Sequence, residues 1–353
     1  MSCVLVLCAP TLPVAAGGFN SVDAGKWLGN GQAMSTSRQS DRMPDLEALE
    51  EIVGRFEAAR SADPGLADAE LGDLIRVVPG KRAVIRGRVG GRACVWRIFM
   101  DPLDDVSSRE WEELQRIWPE MQGKRFRVVE PLRHNAEHRL LAIEEVEGTP
   151  LLELVRAAPE AVRTDLVTPA AGWLRRYTES TESWLPAKPL GWLKRAERAS
   201  ATQPFARLRR LETQLIAQMT RLAERIEGLE WRVAISHGDF HPNNLIVAGE
   251  RMTGIDTGGS GRMPIYKDIA RFAMHMGRRG VIPSGRRVLG VDGALLDAFT
   301  EAFAMTEAER RCILPFMLGV DALLRVETRA LSKSRIRRAG EMYEALIEDM
   351  SGL

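Results

Sequence analysis

A chain of 353 residues is longer than the commonest single-core domain and suits two lobes. Its composition, 45% apolar and 27% charged, is that of a soluble globular protein. With 49 basic against 48 acidic residues the net charge is +1, which excludes a general nucleic-acid-binding or membrane-surface role, because neither has a charge imbalance to work with. Arg335, Arg337 and Arg338 form a local basic cluster that reads as a solvated helix face. Cys3, Cys8, Cys94 and Cys312 show no paired spacing, so a disulfide framework or zinc ribbon is not expected and a reducing cytoplasm is the simplest setting.

The first residues, MSCVLVLCAPTLPVAAGG, have the apolar core of a signal peptide but no Lys or Arg near Met1. The stretch is also too short and too Pro-interrupted to span a bilayer. Translation from Met34 or Met43 is the reading we favour, and residues 1–44 are expected to be disordered or mis-started. From Leu46 apolar residues recur at 46, 49, 52, 53 and 56, which predicts a helix that Pro64-Gly65 ends. Three β-rich runs follow, Ile75–Val78, Arg82–Arg86 and Arg92–Phe99, punctuated by Pro79-Gly80 and Val89-Gly90-Gly91. A helix is expected over Arg109–Trp118, then strands over Phe126–Pro131 and Arg139–Val146. At Glu147–Pro150 the texture becomes helical, with helices expected over Leu151–Ala157, Thr168–Ser180, Gln203–Glu227, Lys267–Gly277, Leu289–Phe303, Glu307–Arg329 and Arg335–Asp349. The expected organisation is an N-lobe over 45–146, a small antiparallel sheet with a helix, and a larger, mainly helical C-lobe over 147–353. A cleft between two lobes is a natural ligand site.

One β-rich segment interrupts the helical half: ISHGDFHPNNLIVAGERMTGIDTGG, Ile235–Gly259. Asp239 follows a glycine that lets the backbone turn sharply, and a carboxylate there can accept or orient a proton from a substrate hydroxyl. Asn244 and Asp256 offer hard oxygen donors, which suit Mg²⁺ better than zinc or copper. Leu245–Gly249 and Met252–Asp256 read as a hairpin in the larger lobe, whose open end would bring Asn244 and Asp256 to one ion. This is the donor set of a phosphoryl-transfer site, where the protein mainly positions groups and neutralises charge.

HGDFHPNN, then GIDTGGSG, then YKDIA resembles the aminoglycoside phosphotransferase and choline kinase family, over about residues 70–350. The resemblance implies an α+β, two-lobed, protein-kinase-like fold and an ATP- or GTP-dependent, magnesium-dependent kinase acting on a small-molecule hydroxyl acceptor. It implies Asp239 as catalytic base or hydroxyl-orienting residue, Asn244 and Asp256 as magnesium ligands, and His237 and Asp268 as braces of the catalytic loop. Arg97, in VWRIF, takes the place of the family's phosphate-binding Lys, with Glu110 as its partner and Glu113 as the alternative. Arg88, Gly90 and Gly91 would lie over the phosphates, and Glu144 to Val146 would line the adenine pocket. Two departures stand out. An Arg for Lys exchange is not conservative at a positioned site, and VGG is shorter than the Gly-rich loop of protein kinases.

His237, Asp239 and His241 alternate as metallohydrolase ligands can, but Pro242 interrupts the run and a zinc reading leaves Asn244 and Asp256 without a role. Arg97 keeps open a pseudokinase, a nucleotide-binding scaffold without turnover. Trp173, Tyr177, Trp184 and Trp192 could form an aromatic cage for a quaternary ammonium, though core packing is the plainer reading. The acids of EMYEALIEDM are scattered by helical spacing, so a cationic antibiotic is not inferred as the acceptor. A protein substrate is disfavoured because no long activation segment follows GIDTGG.

Overall fold

The computed structural model describes residues 46–103, 105–123 and 125–353, so the expectations for residues 1–44, with Cys3 and Cys8, lie outside the described residues. The chain begins with helix α1 (Leu46–Ala62), strands β1 (Glu70–Val78), β2 (Arg82–Val89) and β3 (Arg92–Phe99), and helix α2 (Val106–Ile117). Strands β4 (Phe126–Val128), β5 (Pro131–Asn135), β6 (Leu140–Glu144) and β7 (Thr149–Pro150) follow. Next come helices α3 (Leu151–Ala157), α4 (Glu160–Val167) and α5 (Pro169–Thr178), strand β8 (Ser183–Pro186), and helices α6 (Pro189–Ser200) and α7 (Ala206–Ile226). Strands β9 (Glu230–Ser236), β10 (Leu245–Ala248), β11 (Arg251–Gly254) and β12 (Gly261–Pro264) lead into helix α8 (Tyr266–Gly277). Strands β13 (Arg287–Val288) and β14 (Val291–Asp292) and helices α9 (Gly293–Ala302), α10 (Leu314–Leu324) and α11 (Lys333–Ser351) complete the chain. No described helix is long and apolar enough to cross a membrane.

Two compact units result. The first runs to Pro150 and takes in Ile246–Gly258, and the second comprises Leu151–Leu245 and Gly259–Leu353. The first unit is built on a five-stranded antiparallel sheet, in the order β1-β2-β3-β6-β5. Alternation along central strand β3 divides its residues between two faces. Trp96 joins the core formed with Ile52, Phe56 and Ala59 of α1, at one-turn and two-turn spacing, and its ring meets Phe56 edge-on at 5.2 Å. Trp96 Nε1 donates to Glu70 O at 3.0 Å, which satisfies its one polar atom in that core. Arg97, the next residue, is thereby turned to the opposite face.

The β10–β11 hairpin belongs to this first unit, not to the larger one as expected from its place in the sequence. Its sheet has the order β4-β11-β10-β7, with β11 parallel to β4 and β10 antiparallel to β7. Both outer strands come from the N-terminal part of the chain, so the hairpin's backbone partners fix its membership. The expected strand over 126–131 is accordingly split: β4 pairs with β11, whereas β5, from Pro131, pairs with β6.

The second unit is mainly helical, with a three-stranded sheet β12-β9-β8. Arg232 anchors β9, donating from Nε to Glu309 Oε1 at 2.7 Å, and Tyr266 OH donates to the same oxygen at 2.7 Å. The helix expected over 289–303 starts late. Leu289 (φ 50) and Gly290 (φ 75) make a tight turn between β13 and β14, and Asp292 then caps α9 through Leu295 N at 2.9 Å. The expected Glu307–Arg329 helix is a π-turn over Glu309–Ile313 that runs into α10.

Candidate active site

In the first unit, Arg97, Glu110 and Asp256 meet. Strand β3 presents Arg97 and helix α2 presents Glu110, and both side chains are fully buried. Arg97 Nη1 donates to both oxygens of Glu110 and, at 3.2 Å, to Asp256 Oδ1. Arg82 adds two longer contacts to Asp256, 3.4 Å from Nη1 to Oδ1 and 3.5 Å from Nη2 to Oδ2. Burial opposes the charge on Arg97, but Glu110 and Asp256 outweigh it and raise its pKa. Glu113, the alternative partner, is taken by Arg116 at 2.6 Å on the same helix. Asp256 has φ 66, a left-handed conformation that costs a non-glycine residue about 1 kcal/mol or more and that gathers at functional sites. Gly258 lies against α2, where a Cβ would meet Val106 Cγ1 at 2.8 Å.

Gly90 (φ 58) and Gly91 (φ 71) form the two-residue turn between β2 and β3, left-handed at both positions as such a hairpin requires. Arg88 Nη2 donates to Gly91 O at 2.6 Å and Gly91 N donates to Asp68 Oδ2 at 3.1 Å, so the turn is tied on both sides. Glu144 accepts from Arg127 and, at 3.1 Å, from Glu130 N. Its side chain therefore ties β6 to the β4–β5 connection, and Val146 is half-buried beyond it.

In the second unit the segment after β9 is held from several sides. Gly238 has φ 84, and a Cβ there would lie 1.8 Å from Gly259 O, so no other residue fits without moving the backbone. Gly238 N donates to both carboxylate oxygens of Asp268 at 3.1 Å, and Lys267 Nζ donates to Gly238 O at 2.5 Å. Phe240 stacks between Trp173, with ring centroids 5.4 Å apart, and Phe272, at 5.0 Å. His237 is fully buried beside Trp173, Tyr177 and Phe240. Asn244 Nδ2 donates to Asp239 O at 3.0 Å, which fixes the amide and leaves Oδ1 buried and without a partner among the described residues. An orphaned hard oxygen of this kind is what a Mg²⁺ ligand requires. Asn244 thus has the chemistry of a ligand to the ion the sequence implies.

Asp239 Oδ1 accepts from Arg271 Nε at 2.9 Å and lies 3.5 Å from Arg325 Nη2. Oδ2 faces His241 Nε2 at 3.5 Å, too long for a strong hydrogen bond. Burial pushes the Asp239 carboxyl up, but the His241 contact and the Arg271 charge prevail and hold it far below the usual carboxylate range. Such a group contributes stability above its unfolded value of about 4, lost only as pH falls through the much lower folded value. It remains a carboxylate at any working pH. His241 and His275 stack at 4.7 Å, and burial lowers both pKa values, that of His275 further because Arg279, Arg271 and Arg335 add like charge. The chain has 5 histidines, so a Cε1–H titration by NMR resolves them. His241 and His275 are expected to titrate below about 6.5, the ordinary value. A His241 midpoint above it would mean that the Asp239 charge outweighs burial.

Arg271 and Arg325 escaped sequence reasoning. Arg271 carried a signal, since it stands one helical turn after Asp268 in YKDIAR and so shares its face. Arg325, 86 positions beyond Asp239, carried none. Of the aromatic residues considered for a cage, Trp173 and Tyr177 are fully buried core, Trp184 lies under Arg232 and Trp192 under Arg195. The two expected metal ligands belong to different units, Asn244 to the second and Asp256 to the first.

The model of the phosphotransferase enzyme family matches residues 87–311, more than half of the chain and the whole span from Arg88 to Glu309. The chain belongs to this family. Among solved structures it is similar to an amicoumacin kinase in complex with AMP-PNP and Ca²⁺, with TM-score 0.53 and 13% identity over 85% of this chain and 96% of that one. It is similar to a choline/ethanolamine kinase family protein from Mesorhizobium loti, with TM-score 0.53 and 15% identity over 86% and 100%. A choline kinase from Streptococcus pneumoniae gives TM-score 0.52 and 13% identity over 87% and 100%. At these identities the likeness establishes the fold, which is the α+β, protein-kinase-like fold expected from the sequence. No curated protein matches the chain in sequence.

Proposed function

We propose that this member of the phosphotransferase family moves the γ-phosphoryl group of ATP or GTP to a hydroxyl of a small molecule. The observation that carries the reading is the loop in which Asn244 is bonded to the backbone of Asp239, leaving its own Oδ1 unpartnered, while Arg271 holds the Asp239 carboxylate. Asn244 and Asp256 would hold Mg²⁺, which when bound neutralises charge on the transferring phosphates. Arg97, held by Glu110, makes no hydrogen bond through Nε or Nη2 among the described residues and keeps those donors for phosphate oxygens. His237 and Asp268 brace the loop. Arg88, Gly90 and Gly91 cover the phosphates, and the backbone from Glu144 to Val146 receives the base.

The ion pair with Arg271 shapes the role of Asp239. A carboxylate so strongly stabilised is a poor proton acceptor, but a loose phosphoryl-transfer transition state needs little early proton removal. Asp239 therefore orients the acceptor hydroxyl. The acceptor oxygen bonds to the γ-phosphorus, the bond from that phosphorus to the bridging oxygen breaks, nucleoside diphosphate leaves, and the hydroxyl proton passes to solvent. The free, buried Cys94 and Cys312 suit a cytoplasmic site for this reaction.

The test is acceptor-dependent release of nucleoside diphosphate, with the phosphorylated product followed by ³¹P NMR, for the parent and for Asn244→Ala. The parent should form product only with a divalent cation. Asn244→Ala should need roughly tenfold more of that cation or worse, as loss of an oxygen ligand implies. An unchanged cation requirement would remove Asn244 from the metal site.

A further inference from the structure

Asp239 stands among cations. Arg271 uses Nε for Asp239, yet its terminal nitrogens make no hydrogen bond with the described residues, although its side chain is only 11% exposed. These terminal nitrogens are not among the fully buried unpartnered atoms, so they reach solvent and can meet a ligand's acceptors. Arg325, 41% exposed, has Asp239 at 3.5 Å and Asp321 at 4.0 Å and no closer carboxylate among the described residues. Beside them, buried His275 has neither ring nitrogen hydrogen-bonded among the described residues, and buried His241 meets only Asp239, at 3.5 Å, so the neighbourhood holds unsatisfied polar groups as well as positive charge. Of the nearby acids, Asp321 keeps one buried oxygen unpartnered on the Arg325 side, whereas the others are engaged. Asp268 accepts from Gly238 N, and Glu327 is paired with buried Arg278. The C-terminal acids are no cation trap either: Glu344 pairs with Arg207, Glu341 with Arg337, and Asp349 accepts from Leu289 N.

We infer that the acceptor is an anion: a small alcohol carrying a carboxylate or phosphate group, which Arg271 and Arg325 bind while Asp239 orients the hydroxyl. The inference rests on the proposed phosphotransferase function. Arg271 is suited to the task because a planar fork matches a two-oxygen acid group. Arg271 then has a double role, lowering the Asp239 pKa and, with Arg325, selecting the acceptor by charge.

The test uses the full chain with ATP and Mg²⁺ against three sets of acceptors: glycerate, gluconate and glycerol 3-phosphate; glycerol and ribose; choline and kanamycin. The best anionic acceptor should exceed the best neutral or cationic one by about tenfold or more in kcat/KM. Arg325→Glu should reverse most of that preference through KM, with the thermal shift by magnesium-nucleotide retained. Arg271→Lys should recover more anionic turnover than Arg271→Met. A best acceptor that is neutral or cationic overturns the inference and leaves the kinase reading standing. So does the absence of any anionic turnover while magnesium-nucleotide still raises the melting temperature. If neither nucleotide binds, the kinase reading fails and the inference with it.

Discussion

Asp239→Asn is expected to lower phosphoryl transfer by about 10²-fold or more, the loss that follows when a reacting group is no longer correctly positioned, with magnesium-nucleotide binding close to the parent's. The substitution preserves shape. An amide oxygen at the Oδ1 position still accepts from Arg271 Nε, so the loop held by Gly238, Asp268 and Phe240 has no reason to move. The loss is the negative charge that orients the acceptor hydroxyl and balances Arg271 and Arg325. Single-turnover kinetics with a saturating acceptor separates this from weakened binding. Parental turnover in the variant would exclude Asp239 from the chemistry.

Glu110→Ala is expected to destabilise the first unit by about 3–5 kcal/mol, the usual cost of removing one partner from a buried ion pair. Arg97 is buried within a sheet, between Val84 and Leu141 on the neighbouring strands, and cannot swing out to water. Its remaining counter-charge would be Asp256 at 3.2 Å, which Arg82 already shares. Glu110→Gln, which keeps the volume, should lose a large part of the same stability, so the deficit is electrostatic and not a packing defect. Urea unfolding reads both variants, and a loss below about 1 kcal/mol in each, the level of a surface pair, would mean that the pair is not holding Arg97. Glu113→Ala is the internal control, since its partner Arg116 lies on the same helix and reaches solvent.

Much of this was legible in the sequence where chemistry and period coincide. Asp239, Asn244 and Asp256 are separated by a glycine turn and a hairpin whose lengths can be counted. The pairing of Arg97 with Glu110 was expected from the family resemblance alone, since REWEE has the pattern of any solvated helix face. The choice of Glu110 over Glu113 could not be read, because both sit on one helix and only the position of β3 decides between them. The β10–β11 hairpin was assigned to the wrong half because its sheet partners, β4 and β7, lie more than 90 residues upstream, and local pattern carries no information on such pairings. The cationic surroundings of Asp239 were hidden for the same reason. Arg325 arrives at the end of α10, from a region whose sequence is otherwise core, and a net charge of +1 over the whole chain conceals a local excess.

The central claim is that this chain binds a magnesium-nucleotide for phosphoryl transfer, and a thermal shift of the purified protein with ATP or GTP, each with and without Mg²⁺, tests it most directly. A ligand that binds only the folded state stabilises it by mass action, about 2.7 kcal/mol at a hundred times its Kd, which in a domain of this size is a rise of several degrees (roughly 2–4 °C per kcal/mol). The expected result is a rise that depends on Mg²⁺ and is lost in Asp256→Ala. Unchanged melting with both nucleotides, in the presence of Mg²⁺, would contradict the account and leave Arg97, locked between Glu110 and Asp256, as the group to examine for the loss of nucleotide binding.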